Sequence, residues 1–261
     1  MNDLFIGGGG CDGVMFIGVL EYLHENKLLD IKNFYGTSIG SLIGILYLSG
    51  DSPRDILKKI INLDYTKTFK YNISNLYNYH LIDPGCLDYF LGEALVSIKK
   101  DTTIGEFSEK FKVNINIHVT RIKTAEYINF NTKDYPGVKI RDAIKASMSV
   151  PFLFKPVEID GYDYVDGCCK NITGSPKDDV YISGYSIITE TVLNNDSNFF
   201  LRILLIIIND KLPNSKFTIK CRSDETKILG SYGSLDKIDE TNILELYKRG
   251  LHIAKEYFHL I

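Results

Sequence analysis

The sequence predicts an α/β fold with a mostly parallel central sheet, and three observations support this. The apolar run Leu4–Ile6 meets a glycine run, Gly7–Gly10, and then a helical pattern. A second run, Ile31–Tyr35, meets Gly36-Thr37-Ser38-Ile39-Gly40 and then another helix. Two strand-to-helix units within the first fifty residues favour parallel pairing. Third, no repeat, low-complexity tract or Pro/Gly-rich linker divides the 261 residues, so one domain over 1–261 is expected.

Leu4–Ile6 reads as a buried strand, and Val14–Asn26 as a helix turning Val14, Phe16, Ile17, Leu20 and Leu23 inward. After the strand Ile31–Tyr35, the helix Ser38–Ser49 ends at Gly50, which suits the position past a C-cap. Ser52 caps a third helix with Pro53 in its first turn and Ile56, Leu57, Ile60 and Ile61 on one face. Residues 64–83 lack clean periodicity but carry Tyr65, Phe69, Tyr71, Leu76, Tyr77 and Tyr79. So long a loop in a compact domain reads as a lid or a membrane-facing surface, or else as aromatics that simply pack over the core. A helix follows near Cys86–Ile98, then a strand near Val113–Val119 with a partner at Tyr127–Phe130, and a helix around Lys139–Ser147. Val157–Val165 reads as a hairpin, because Asp160-Gly161 suits a two-residue type I′ turn. Further strands are expected at Val180–Ile188 and Phe200–Ile208. The closing amphipathic helix points Ile243, Leu244, Leu246, Leu251, Ile253 and Tyr257 inward.

Composition narrows the function classes. A formal net charge of -3 lacks the basic footprint of a nucleic-acid binder. Five cysteines, an odd number without a C-x-x-C pair, fit neither a disulfide framework nor a zinc site, so no metal is expected. Asp3 and the break at Gly7 argue against a signal peptide, and Ile203–Ile208 is too short to span a bilayer. A cytoplasmic location follows as the expectation.

Gly36-Thr37-Ser38-Ile39-Gly40 matches G-x-S-x-G, the nucleophile elbow. A turn this sharp has no room for bulky neighbours, and it leaves a serine hydroxyl at a helix N-terminus, where developing negative charge is favoured. Gly8-x-Gly10-x-x-Gly13 fits the dinucleotide fingerprint in letters. That use requires an acid at the end of the second strand, where this chain has Phe34-Tyr35-Gly36. A P-loop is excluded because no Gly-Lys-Ser/Thr follows. An oxyanion hole remains, with glycine N–H groups facing a developing alkoxide. The serine needs a base. Among five histidines, Ser38…Asp166…His252 or His259 has the chain order of an α/β-hydrolase triad. Asp166-Gly167, which ends a strand after the small-residue stretch Ala146–Pro151, is the other candidate.

Together, Gly8–Gly13, the early Gly36–Gly40 elbow, Lys145-Ala146-Ser147-Met148-Ser149-Val150-Pro151 and Asp166-Gly167 resemble the patatin-like phospholipases. The resemblance covers about residues 4–170. It implies a three-layer α/β/α fold and calcium-independent hydrolysis of lipid acyl esters, with phospholipid or another glycerolipid as substrate and no cofactor. Peripheral contact with membranes is also implied. Carried onto this chain, Ser38 is the nucleophile and Asp166 the base, supported by Gly167. Gly8, Gly9, Gly10, Cys11 and Gly13 form the oxyanion loop, and Gly36 and Gly40 the elbow. A carboxylate of ordinary pKa, about 3.9, is a weak base, so Asp166 is expected to be buried. Two positions depart from the family. Asp12 stands where a basic residue is usual, so the alternative is a weak or inactive lipid-binding relative. Cys168 stands where Gly or Ala commonly follows the Asp-Gly pair.

Overall fold

The computed structural model describes residues 2–170, 180–191, 213–223 and 239–259. Among the described residues, eight strands form one sheet in the order β5-β6-β3-β2-β1-β7-β8, with β4 also paired to β3. The strands are β1 Asp3–Ile6, β2 Asn33–Thr37, β3 Asn114–Arg121, β4 Glu126–Asn131, β5 Val157–Ile159, β6 Tyr162–Asp166, β7 Ile182–Thr191 and β8 Ser215–Ser223. The centre, β3-β2-β1-β7-β8, is parallel, while β4, β5 and β6 pair antiparallel. The helices are α1 Val14–Glu25, α2 Ile39–Leu48, α3 Pro53–Ile61, α4 Tyr65–Thr68, α5 Gly85–Ala94, α6 Ile104–Phe111, α7 Ile140–Ser147 and α8 Glu240–His259. This is the expected mixed α/β architecture, a mostly parallel sheet with helices on both sides.

Strand alternation divides the apolar residues between the two faces. Leu4, Ile6, Phe34, Ile115, Ile117 and Ile187 join the main core with residues of the helices, whereas Phe5 joins a smaller cluster with Ile182 and Ile188. The helix α1 was expected to bury one face, yet every residue from Val14 to Glu21 is buried. The reason is a close crossing with α8. A Cβ at Gly18 would lie 2.1 Å from Tyr247 O, and one at Gly250 would lie 1.9 Å from Met15 O. Only glycines let the two backbones approach so closely.

Local signals held where the backbone dictates them. Ser52 and Asp55 form a capping box at α3, and Gly50 adopts φ +106° past α2. Asp160 and Gly161 both take positive φ between β5 and β6, as a type I′ turn requires. The segment 64–83 is more ordered than a loop, since α4 and a 3-10 helix at Ile73–Asn78 interrupt it. Bridges Tyr71↔Ile82 and His80↔Phe152 tie it down. The helix α6 and the strand β8 were not anticipated. The strand expected at Phe200–Ile208 lies outside the described residues. Among the described residues, no helix is long and apolar enough to cross a membrane.

Candidate active site

The site is created by the way β3 is shared. Residues 114–118 of β3 pair with β2, and Val119–Arg121 pair with Asp166–Tyr164 of β6, while β4 occupies the opposite edge from Asn116 to Arg121. The strands β2 and β6 therefore lie on the same side of β3 and run toward each other. The end of β2 (Thr37↔His118) faces the end of β6 (Asp166↔Val119) across consecutive positions of β3. Ser38 and Asp166 are thus brought together by strand register, although 128 residues separate them in sequence.

Ser38 turns the chain from β2 into α2 with φ 52° and ψ -132°. A non-glycine residue there is strained by about 1–3 kcal/mol, a value that surrounding contacts must offset. Those contacts are visible. The Ser38 N–H donates to Ser147 Oγ (2.8 Å), and the Ser147 hydroxyl donates to His118 O (2.7 Å). The Ser41 N–H and hydroxyl both donate to Ser38 O, at 2.9 and 2.6 Å. The flanking glycines are sterically required. A Cβ at Gly40 would sit 2.3 Å from Gly7 O, and one at Gly36 would sit 2.7 Å from Ser41 Cα.

Asp166 is 2% exposed. Its N–H donates to Ser149 O (3.0 Å), and Oδ1 accepts from the Cys168 N–H (2.8 Å). Burial pushes its pKa up to about 6, and the Ser38 and Cys168 donors moderate the rise. Gly167 packs where a Cβ would lie 2.6 Å from His118 O. Such a carboxylate is largely ionised at neutral pH and still able to take a proton.

The opening turn lies across from this pair. The Gly7 N–H donates to Ile187 O (2.9 Å), Gly8 O accepts from the Thr189 hydroxyl (2.9 Å), and Gly10 takes φ 51°. A 3-10 turn, Gly10–Gly13, then leads into α1. The five residues assigned to this loop hold different positions. Gly8 approaches closely enough that an added Cβ would lie 3.5 Å from Ser38 Cβ and 2.2 Å from Cys168 Sγ. Gly13 packs on Ile39, 2.5 Å from an added Cβ. Gly10 and Cys11 line the cavity that contains Ser38. Gly9 fits between Phe16 and Thr189, each 2.9 Å from an added Cβ.

That cavity, of about 100 Å³, is apolar. From Ser38 it runs past Val14, Ile17, Ile39 and Ile43 to Ile60 of α3, Leu87 and Phe90 of α5, and Ile243 and Leu246 of α8. Tyr65, Thr68 and Phe69 form another wall. Asp12 acts on the thiols beside it. Burial and then the Asp12 charge push Cys11 up to about 12, and both also raise Cys221 of β8, where Arg249 of α8 acts in the opposite direction.

Of the histidines, His252 pairs with Glu256 (3.2 Å) on the exposed face of α8, and His259 is exposed. His118 is buried behind the elbow, its Nδ1 3.1 Å from Thr37 Oγ1. The sequence marks Lys145–Pro151 as a motif but not the use of its Ser147 hydroxyl, nor the close approach of the Cys168 side chain to Gly8. Neither contact has a sequence signal, since both depend on distant segments meeting. Among the described residues, no cluster of three or more His, Cys, Asp or Glu is placed to hold a metal ion.

The family model described as patatin-like phospholipase matches residues 4–172. A probable lipid hydrolase of Invertebrate iridescent virus 6 is 27% identical over 174 residues, covering 63% of this chain and 58% of the relative. The chain therefore spans just over half the length of that relative. Among solved structures, VipD of Legionella pneumophila superposes with TM-score 0.61 at 15% identity, covering 99% of this chain and 66% of that one. ExoU of Pseudomonas aeruginosa gives TM-score 0.51 at 16% identity, over 99% of this chain and 52% of that one. At these identities the structural likeness concerns the fold.

Proposed function

The chain belongs to the patatin-like phospholipase family, and on that premise we propose that it hydrolyses fatty-acyl esters of phospholipids or other glycerolipids through Ser38 and Asp166. The observation that carries this reading is the register of β3, which sets Ser38 at the end of β2 against the buried Asp166 at the end of β6, beside an apolar cavity. The acyl chain lies in the cavity between α3, α5 and α8, which presents the ester carbonyl to Ser38. Ser38 Oγ bonds to the carbonyl carbon as its proton passes to Asp166. The oxyanion is held by N–H groups of the Gly9-Gly10-Cys11 turn, helped by the N-terminus of α2. Gly8 and Gly13 support this turn, Gly8 through Cys168 and Gly13 through Ile39. Collapse of the intermediate breaks the ester C–O bond, and Asp166 returns the proton to the leaving alcohol. Water then attacks the acyl-Ser38 carbonyl, giving a proton to Asp166; collapse breaks the acyl C–Oγ bond as Asp166 returns that proton to Ser38 Oγ, and the free fatty acid departs.

No step of this scheme uses calcium, so a chelator should leave the rate unchanged. The direct test is hydrolysis of a soluble p-nitrophenyl acyl ester by the wild type and by Ser38→Ala, followed by a lipid panel with mass detection of released fatty acids. Loss of turnover in Ser38→Ala supports the proposal. A wild type that binds lipid but hydrolyses none of these esters supports the inactive relative suggested by Asp12.

A further inference from the structure

We propose that the projection formed by residues 70–82, together with Phe152, docks the protein on a phospholipid surface. The inference rests on the lipid-hydrolase reading above and names the partner surface for that site. Ile73, Tyr77 and Tyr79 are 77%, 92% and 75% exposed, and Tyr71, Leu76 and Phe152 are about half exposed. A contiguous apolar surface of this kind marks an interaction site rather than ordinary scatter.

Four features make a lipid surface its occupant. First, the face is continuous with the cavity, because Tyr65, Thr68 and Phe69 of the same segment wall the space that reaches Ser38. Docking by the outer side of this segment thus places the cavity next to the source of acyl chains. Second, four of the six exposed side chains are aromatic rings, three of them tyrosines, which suit the headgroup boundary with an apolar body and a polar tip. Third, residues 65–82 contain Lys67 and Lys70 and no Asp or Glu, and of the flanking acids Asp64 pairs with Lys67 and Asp83 accepts from the Asn72 and Asn75 amides. Fourth, Tyr79 (φ 62°) and Phe152 (φ 67°) both adopt left-handed backbone conformations, which bulky residues rarely occupy. Phe152 bridges to His80, the neighbour of Tyr79, and the Tyr79 and Phe152 rings are exposed to solvent.

The projection is built to keep its shape. Asp83 Oδ1 accepts from the side-chain amides of Asn72 (3.2 Å) and Asn75 (3.0 Å), and the Asp83 N–H donates to Lys70 O (2.9 Å). At its base, Ile82, Cys86 and Leu153 form a small core against which Cys11 packs. A surface bound at the tip is therefore connected by packed side chains to the turn beside Ser38. With a net charge of -3 on the whole chain, apolar insertion rather than long-range attraction drives docking. The binding should accordingly depend weakly on salt.

The chain has no tryptophan, so Tyr77→Trp introduces a single reporter. With vesicles of mixed phosphatidylcholine and phosphatidylserine, its emission should shift to the blue and be quenched by brominated lipid. In flotation of the full chain, Ile73→Asp/Tyr77→Asp should lower vesicle partitioning by roughly tenfold or more. Tyr181→Asp, at the opposite end of the sheet from Ser38, should leave it unchanged. The soluble-ester rate of the double variant should match wild type, while release of fatty acid from vesicles falls with binding. Equal partitioning of wild type and double variant, or an unshifted, unquenched reporter, overturns the proposal. So does a wild-type dimer that the double variant splits without change in vesicle binding, since the face then covers a second copy. Flotation reads docking without turnover. An inactive wild type that still binds through this face therefore refutes the hydrolase reading and leaves the docking surface standing.

Discussion

Asp166→Asn should make the protein inactive and, above neutral pH, more stable. In the folded chain the Asp166 pKa is raised from 3.8 to about 6 by burial. A raised value means that the folded state holds the proton more tightly than the unfolded chain does. Stability from this group is therefore complete below about pH 4 and is lost as pH rises through about 6. A difference of about two pKa units corresponds to about 3 kcal/mol at 1.36 kcal/mol per unit, fully lost by pH 8. Asparagine stays neutral and its carbonyl still accepts the Cys168 N–H, so the variant avoids that loss. Its amide no longer accepts the Ser38 hydroxyl, which reduces the gain to about 1–3 kcal/mol. In a chain of this size the melting temperature should rise by about 5 °C at pH 8. At pH 4.5 the difference should nearly vanish. Wild-type hydrolysis should rise through about pH 6 as the carboxylate ionises, and the variant should show none. A variant less stable than wild type at pH 8, or equally altered at both pH values, would refute the assignment of a buried, destabilising carboxylate.

Other consequences concern the groups that hold the pair. Ser147→Ala strands the buried Ser38 N–H, so stability should fall by about 1–3 kcal/mol and the soluble-ester rate by roughly ten- to a hundredfold. An unchanged kcat would remove Ser147 from the elbow. Gly8→Ala places a methyl group 2.2 Å from Cys168 Sγ, so it should destabilise alone and be partly relieved by Cys168→Ala. A thermal double-mutant cycle with coupling below about 0.5 kcal/mol would contradict that contact. Gly40→Ala meets two main-chain carbonyls, Gly7 O at 2.3 Å and Ile6 O at 2.4 Å, and should abolish soluble expression. A soluble, cooperatively unfolding variant would count against the elbow geometry.

What could be read from the sequence is what short segments must do by themselves. Gly36 and Gly40 announce a turn too tight for side chains, Asp160-Gly161 announces a type I′ hairpin, and Ser52-Pro53 announces a helix start. The helix α6 was legible in principle, because Thr103 and Glu106 form a capping box, but its eight residues show only a short apolar stripe. The site itself is legible in part. Ser38 and Asp166 belong to local motifs, whereas their meeting depends on β2 and β6 dividing one edge of β3, a long-range pairing that no local pattern encodes. The Ser147 hydroxyl and the Cys168 sulfur belong to the same long-range class. Of the aromatics of 64–83, Tyr71, Tyr77 and Tyr79 are exposed while Tyr65 and Phe69 pack inward, a division set by tertiary features such as the bridges and the Asp83 staple.

The most direct test of the account is covalent trapping of the intact chain with a fluorophosphonate, read by peptide mass spectrometry. The account predicts one adduct, on the peptide bearing Ser38, absent in Ser38→Ala and strongly slowed in Asp166→Asn. An adduct on another residue, or labelling of Ser38 at an equal rate without the Asp166 carboxylate, would contradict it.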